Sequence, residues 1–258
     1  MPEDITDLLN NWDFNPQKSY RKIVGENGCE IVQVRVDNAA FQGILQMQLD
    51  GRPDGKRPHG CEFVLDYHRE ALRRWREARH GDEGFKLNSA DCAELFDESL
   101  RIYNRYVFLL QLQDYPRVVR DTERNMEVFR FVNRFAEREE DRNNLERWWP
   151  YILRINGTAR AMHAVRETRD FEEALEIVRE TRRKIEDLEP VEAREFETEL
   201  ERSLKSLEDL EQALMSQKPL NAMDKLRRKM ELAVAEERYE DAAQLRDRLK
   251  EIEDRDFT

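Results

Sequence analysis

Four histidines, three cysteines and fifty-six carboxylates are the side chains of this sequence that could ligate a metal, attack a substrate or carry a proton. Their spacing suits none of these tasks. His59, His68, His80 and His163 are scattered. No H-x-x-x-H or H-E-x-x-H pair would seat two imidazoles on one helix face for a metal. Cys29, Cys61 and Cys92 are widely separated and odd in number. With no C-x-x-C pair, they argue against a disulfide framework and against zinc or redox chemistry. The carboxylates sit on highly charged stretches, where solvated i,i+4 pairing is their ordinary role. A nucleophile elbow and a dinucleotide fingerprint are both absent. The expectation is a non-enzyme with no catalytic residue, no metal and no cofactor.

Two basic clusters and one aromatic cluster could still recognise a ligand. The loop Gly51–Gly60, GRPDGKRPHG, offers Arg52, Lys56, Arg57 and His59 to an anion. It lacks the G-x-x-x-x-G-K-[ST] spacing that wraps a nucleotide, so a rigid surface connection solvated by its charges is the favoured reading. Arg117, Arg120 and Arg124 share a helix face, but Asp114, Asp121, Glu123 and Glu127 lie beside them. A mixed-charge face is therefore favoured over a phosphate clamp. Arg147-Trp148-Trp149-Pro150-Tyr151 collects residue types that dominate recognition hot spots, although at least one tryptophan should pack in the helical core.

The totals narrow the partners. A formal net charge of −12 lowers the expectation of direct nucleic-acid binding, because phosphate neutralisation supplies most of that affinity. It equally disfavours adhesion to anionic membranes. No stretch approaches the roughly 20 apolar residues of a membrane span, and the acidic start MPEDITDLLNNWDF does not read as a secretory signal. The cytoplasm is the expected compartment.

The elements that would position these groups divide at the glycines. Eight of the nine lie between Gly25 and Gly84, which suits strands and turns early and helices later. Residues 1–17 read as a short helix or extended arm. Runs at 19–24, around Val32–Val36 and at 44–50 read as a three-stranded antiparallel meander, with Gly25-Glu26-Asn27-Gly28 as the first turn. Val32, Val34 and Val36 alternate with Gln33 and Arg35, and Leu45, Met47 and Leu49 alternate with Gln46 and Gln48. One apolar face is predicted, covered by a helix over about 62–79. Helical periodicity then places helices near 89–112, 115–138, 142–168, 171–188, 190–215, 220–236 and 239–254. Pro116, Pro150, Pro190 and Pro219 fall near first turns, and Pro150 is placed to kink or split the third of these helices. The fold class is α+β, mainly α. The predicted organisation is a small head over 1–86, helical hairpins over 87–216 and a terminal helical hairpin over 219–254.

One local pattern recurs. Asp114-Tyr115-Pro116-Arg117-Val118-Val119, Asp170-Phe171-Glu172-Glu173-Ala174-Leu175 and Arg238-Tyr239-Glu240-Asp241-Ala242-Ala243 share a charged residue, an aromatic, two spacers and then small or branched residues. Each aromatic is expected to plug the elbow of a hairpin, in a TPR-like packing whose unequal separations exclude a regular solenoid.

The most specific stretch is the last. Met223, Leu226, Met230 and Ala233 form one apolar seam, and Ala242, Leu245, Leu249 and Ile252 form another. Only Glu236-Glu237-Arg238 separates them, which forces an antiparallel hairpin. Two such short helices are marginal alone in water, so the hairpin needs a partner surface, its own body or another protein.

Leu226…Met230…Ala233…Tyr239-Glu240-Asp241-Ala242-Ala243-Gln244-Leu245-Arg246-Asp247 resembles the UVR motif, the hairpin through which the UvrB and UvrC subunits of bacterial nucleotide excision repair associate. The resemblance covers the tail alone; the remainder resembles uncharacterised bacterial proteins that end in this motif. It implies a protein partner, among them another UVR-motif protein, docked by Leu226, Met230, Tyr239, Ala242, Ala243, Arg246 and Asp247. It leaves homo-oligomerisation open. The ATPase and nuclease segments of the repair subunits have no counterpart here. An adaptor is therefore the leading reading. The alternatives are an accessory factor of excision repair or a regulator of a Clp-type protease, although the cysteine-rich zinc segments of one activator family of such proteases are missing.

Overall fold

The structure is a computed structural model that describes residues 4–26, 28–38, 40–219 and 222–256. Asn27 of the first predicted turn and the side chains of Met223 and Ile252 lie outside the described residues. A short helix, α1 (Thr6–Asn10), precedes strands β1 (Tyr20–Val24), β2 (Glu30–Asn38) and β3 (Phe41–Gln48). Nine further helices follow among the described residues: α2 (Val64–Arg79), α3 (Ser89–Gln111), α4 (Tyr115–Phe135), α5 (Glu139–Glu146), α6 (Trp149–Thr168), α7 (Phe171–Glu186), α8 (Arg194–Gln217), α9 (Ala222–Ala235) and α10 (Tyr239–Asp256). Helix makes up 66% of the described residues, so the fold is α+β, mainly α. Among the described residues no helix is long and apolar enough to cross a membrane. Two compact units divide the chain, residues 1–212 and residues 213–258.

Local signals set most helix ends. Asn88 caps α3 by accepting from the Ala90 and Asp91 amides, and Asp91 accepts from Asn88 in return. Asp170 caps α7 through the Glu173 amide at 2.9 Å. The third predicted helix is two: α5 ends at Glu146, and Pro150 sits in the first turn of α6. Pro190 and Pro219, by contrast, lie ahead of α8 and α9 rather than within their first turns.

The first unit is organised on the α3–α4 hairpin. Near its elbow, Ile102, Tyr106 and Leu109 of α3 join Tyr115 and Val118 of α4, Ile155 and Ala159 of α6, and Val32 and Leu49 from the sheet. Toward the open end, Leu95, Phe129 and Val132 pack with Val64, Leu65 and Leu72 of α2 and Ile152 of α6. The helix predicted to cover the sheet therefore exists as α2 but packs in the second cluster, while α3, α4 and α6 cover the sheet's apolar face. Full burial of a residue such as Ile102 or Leu109 contributes about 1.5–3 kcal/mol.

The sheet runs β1-β2-β3, all antiparallel. Its alternation carries less information than expected. Gln33 and Arg35, on the polar face, are as buried as Val34. Gln33 accepts from Arg21 and donates to Gln46, and Arg35 donates to the Leu9 carbonyl of the N-terminal segment at 2.7 Å. The arm thus covers the Arg35 part of the face that alternation assigns to solvent, while Gln42 and Gln46 on the same face stay exposed. Conversely, Leu45 lies on the apolar face beside Val34 yet is 57% exposed.

Three hairpin elbows share one backbone device. Gln113, Arg169 and Glu237 adopt left-handed φ of 57°, 54° and 60°, each two residues before an aromatic. After α3 the Asp114 amide reaches the Leu109 carbonyl at 2.9 Å, and after α9 the Arg238 amide reaches the Ala233 carbonyl at 2.7 Å. Both are Schellman closures, which satisfy the last helical carbonyls and reverse the chain within two residues.

Candidate interaction surface

Helices α9 and α10 form the second hairpin-shaped feature that the sequence singles out. Ala233 is 1% and Ala242 8% exposed, so the small side chains are consumed where the two helices approach each other. Leu249 is buried, and Leu226, Met230 and Leu245 are half-buried. Arg238 bonds Glu236 and Asp241 across the elbow, both at 2.6 Å, which fixes the turn electrostatically.

The outward side chains fall into two faces of α10. Tyr239, Ala243 and Arg246 recur at i, i+4 and i+7 and form one stripe. Among the described residues Arg246 bonds its neighbour Asp247, at 2.9 Å, and both are more than half exposed. On the other side Asp241, Leu245 and Arg248 face Lys229 and Leu232 of α9 across an open groove of about 760 Å³. Asp247 also lines that groove. The seven residues expected to dock a partner are thus split between the hairpin's interior (Ala242), its half-buried seam, the tyrosine stripe and the groove. Leu232 and Val234, 53% and 50% exposed, are apolar surface that sequence reasoning passed over. Their signal is legible in hindsight: both are apolar residues off the seam of an otherwise charged helix.

The elbow aromatics differ. Tyr115 is 6% exposed and Phe171 is half-buried, as an elbow plug should be, but Tyr239 is 66% exposed. The same backbone turn therefore leaves its aromatic uncovered only at the last elbow. Residues 221–255 match the family model described as the UvrB/uvrC motif. The match takes in α9 and α10, hereafter the UVR hairpin, and none of the first unit. Nothing among curated proteins and nothing among solved structures matches the chain.

Most of the other sequence candidates are engaged by the protein's own groups. In the Gly51–Gly60 loop, Arg52 is buried against Asp54 and Glu98, at 2.9 and 3.4 Å, and His59 bonds Glu94 at 2.8 Å. Lys56 and Arg57 point to solvent, and His59 is exposed as well. Arg117 bonds Asp50, Glu30 and Asp114, Arg120 bonds Asp50 and the Leu49 carbonyl, and Arg124 lies 3.5 Å from the Phe63 ring and pairs with Asp66. This arginine face pins the sheet and the α2 entry to α4. Trp149 packs edge-on against Phe129 at 5.3 Å, and Trp148 is exposed. Among the described residues no three of the histidines, cysteines and carboxylates converge on a metal position. Burial pushes the Cys92 thiol up to about 11, which leaves little thiolate at neutral pH.

Sequence reasoning missed Glu98. It is fully buried and accepts from the Val64 and Leu65 amides at 2.9 and 3.3 Å, supplying from α3 the cap that Phe63 does not provide for α2. Burial raises its carboxyl above the ordinary range, against the pull of these two amides and of Arg52.

Proposed function

We propose that this chain is a non-catalytic interaction protein whose UVR hairpin docks a protein partner. The observation that carries this reading is the exposure of Tyr239 at an elbow whose counterpart, Tyr115, is buried. A tyrosine is a costly residue to leave in water and a frequent binding anchor. Leu232 beside the groove and Val234 extend the apolar surface, and Arg246, Asp247 and Arg248 supply charges that set register with a partner. The match to the UvrB/uvrC motif supports a partner that presents a comparable hairpin. It also supports a narrower second reading, an accessory factor of nucleotide excision repair recruited by hairpin contact. The net charge of −12 weighs against direct DNA contact in that role.

The test is an affinity capture with the intact chain and with Tyr239→Ala combined with Arg246→Glu. A partner held by the intact chain and lost from the double variant supports docking. A partner set unchanged between the two overturns it. Capture of a repair subunit would select the second reading.

A further inference from the structure

The two edges of the sheet are unlike. β1 carries Arg21 and Lys22, and it is tied to the α3–α4 elbow by Lys22 to Asp114 at 2.8 Å and by the Tyr20 hydroxyl to the Gln111 carbonyl at 3.5 Å. β3 carries no charge at all. Residues 38–49, NAAFQGILQMQL, form the longest uncharged run of a chain that is 39% charged. Free sheet edges are ordinarily guarded by lysine, proline or a bulge, because an open row of amides and carbonyls invites another strand. β3 has none of these, and its register with β2 is unbroken from Phe41 to Gln48.

The open groups can be assigned. The Leu49 amide donates to the Glu30 carbonyl at 3.1 Å, so by the alternation of an antiparallel ladder Gly43, Leu45 and Met47 bond β2, while Gln42, Ile44, Gln46 and Gln48 face outward. Gln48 is already closed: its amide donates to the Pro53 carbonyl at 2.9 Å, and its carbonyl accepts from Arg105 at 3.1 Å. The free edge is therefore Gln42 to Gln46. Flanking it, Phe41 is 71% and Leu45 57% exposed, on the apolar face that the helices leave uncovered.

We propose that β3 is a self-association edge, on which two copies of this chain pair antiparallel about a two-fold axis at Ile44. Three strands from each copy then form one continuous sheet. This register uses every open position, since Gln42 meets Gln46 of the second copy and Ile44 meets its own equivalent. A shift toward Gln48 is blocked by Pro53 and Arg105. On the apolar face Phe41 meets Met47 of the second copy, and Leu45 meets Gly43, large against small. That self-complementarity, with no charge on either strand, is the argument for a second copy over a foreign peptide. The surface belongs to the first unit and the UVR hairpin to the second.

Sedimentation of the full chain from about 1 to about 100 µM tests this, because a single paired edge is expected to give a micromolar dimer. The wild type is expected to show a concentration-dependent monomer–dimer equilibrium. Gln42→Lys with Gln46→Lys sets lysine against lysine twice and should weaken the dimer at least about tenfold. Gln42→Lys with Gln46→Glu sets lysine against glutamate twice and should keep it. Both positions are exposed, so the circular dichroism melt serves as a folding control. If the double lysine loosens the sheet, Ile44→Lys gives the same readout from one outward residue. A wild type that stays monomeric throughout, or both double variants dimerising alike, overturns the proposal. So does a dimer lost only with Tyr239→Ala, which would move self-association to the UVR hairpin.

Discussion

Arg105 of α3 and Asp121 of α4, each 1% exposed, meet in a two-pronged ion pair of 2.7 and 2.8 Å. The remaining guanidinium nitrogen reaches the Gly51 carbonyl at 2.6 Å and the Gln48 carbonyl. A single side chain therefore joins the central hairpin to the end of β3. Removing either partner alone leaves the other charge buried with less compensation: Asp121 keeps Arg120 at 2.9 Å, and Arg105 keeps the Gly51 and Gln48 carbonyls. Arg105→Met or Asp121→Leu should each cost about 3–5 kcal/mol, and the double replacement distinctly less than the sum. Urea unfolding of the three variants measures this. An additive result would mean that the two charges act independently.

Gly157 marks the closest approach of α6 and α7. A methyl group built there would overlap the Thr181 side chain. Thr181 is buried and its hydroxyl is held by the Ile177 carbonyl, so it has little room to withdraw. Gly157→Ala should destabilise the first unit by about 1–3 kcal/mol despite the better helix propensity of alanine, and Thr181→Gly should recover part of that loss. Thermal melts of the single and double variants decide it.

His68 is 4% exposed with its Nε2 unpaired, and burial holds its imidazole below the ordinary 6.5. Asp91 and Glu94 pull the other way, and His59 adds to the depression. The folded state thus refuses a proton that the unfolded chain accepts, and stability should fall as pH drops below 6.5. His68→Leu should flatten that part of the stability–pH curve. An unchanged slope would place the titration elsewhere.

Hydrogen bonding from Arg117, aided by Arg120, lowers the Asp50 carboxyl from 3.8 to about 2. Its stabilising contribution is complete above 3.8 and is lost as pH falls from 3.8 to about 2. Because Asp50 is 62% exposed, solvent screening keeps the contribution at or below about 1 kcal/mol. Asp50→Asn should therefore lower stability slightly at neutral pH and shorten the acid limb of the denaturation curve.

Tyr239→Ala removes an exposed ring and should leave the melting temperature within the range of an ordinary surface change, about 0.5 kcal/mol or less. If the ring is a binding anchor, partner affinity should fall by about 2 kcal/mol, roughly thirtyfold. Calorimetry against the captured partner compares the two. A large loss of stability with intact binding would instead make Tyr239 a packing residue.

The comparison of Tyr115 with Tyr239 shows where sequence information stops. Helix spans, the split at Pro150, the hairpin reversals and the UVR hairpin itself were legible, because each follows from short-range causes: seam spacing, caps and a turn too short for anything but reversal. The internal pattern at 114, 170 and 238 correctly marked three elbows with one backbone geometry. It did not tell which aromatic would be covered, since that depends on surfaces distant in the chain.

The same limit explains the sheet and the arginines. Alternation fixed which residues of β2 share a face, and nothing local could foretell that the N-terminal segment would reach Arg35, that Arg21 and Gln46 would bond a buried Gln33, or that α3 and α4 would stop short of Leu45. In the sequence Arg52 stands out as a candidate anion ligand and Arg117 and Arg120 as part of a mixed-charge helix face, while Arg105 is not distinguished from its charged surroundings. Only the meeting of α3, α4 and the end of β3 set them on Glu98 and Asp121 in the interior and on Asp50 at the surface. Periodicity reports the side a residue faces; burial and ion pairing are decided by which sides come together.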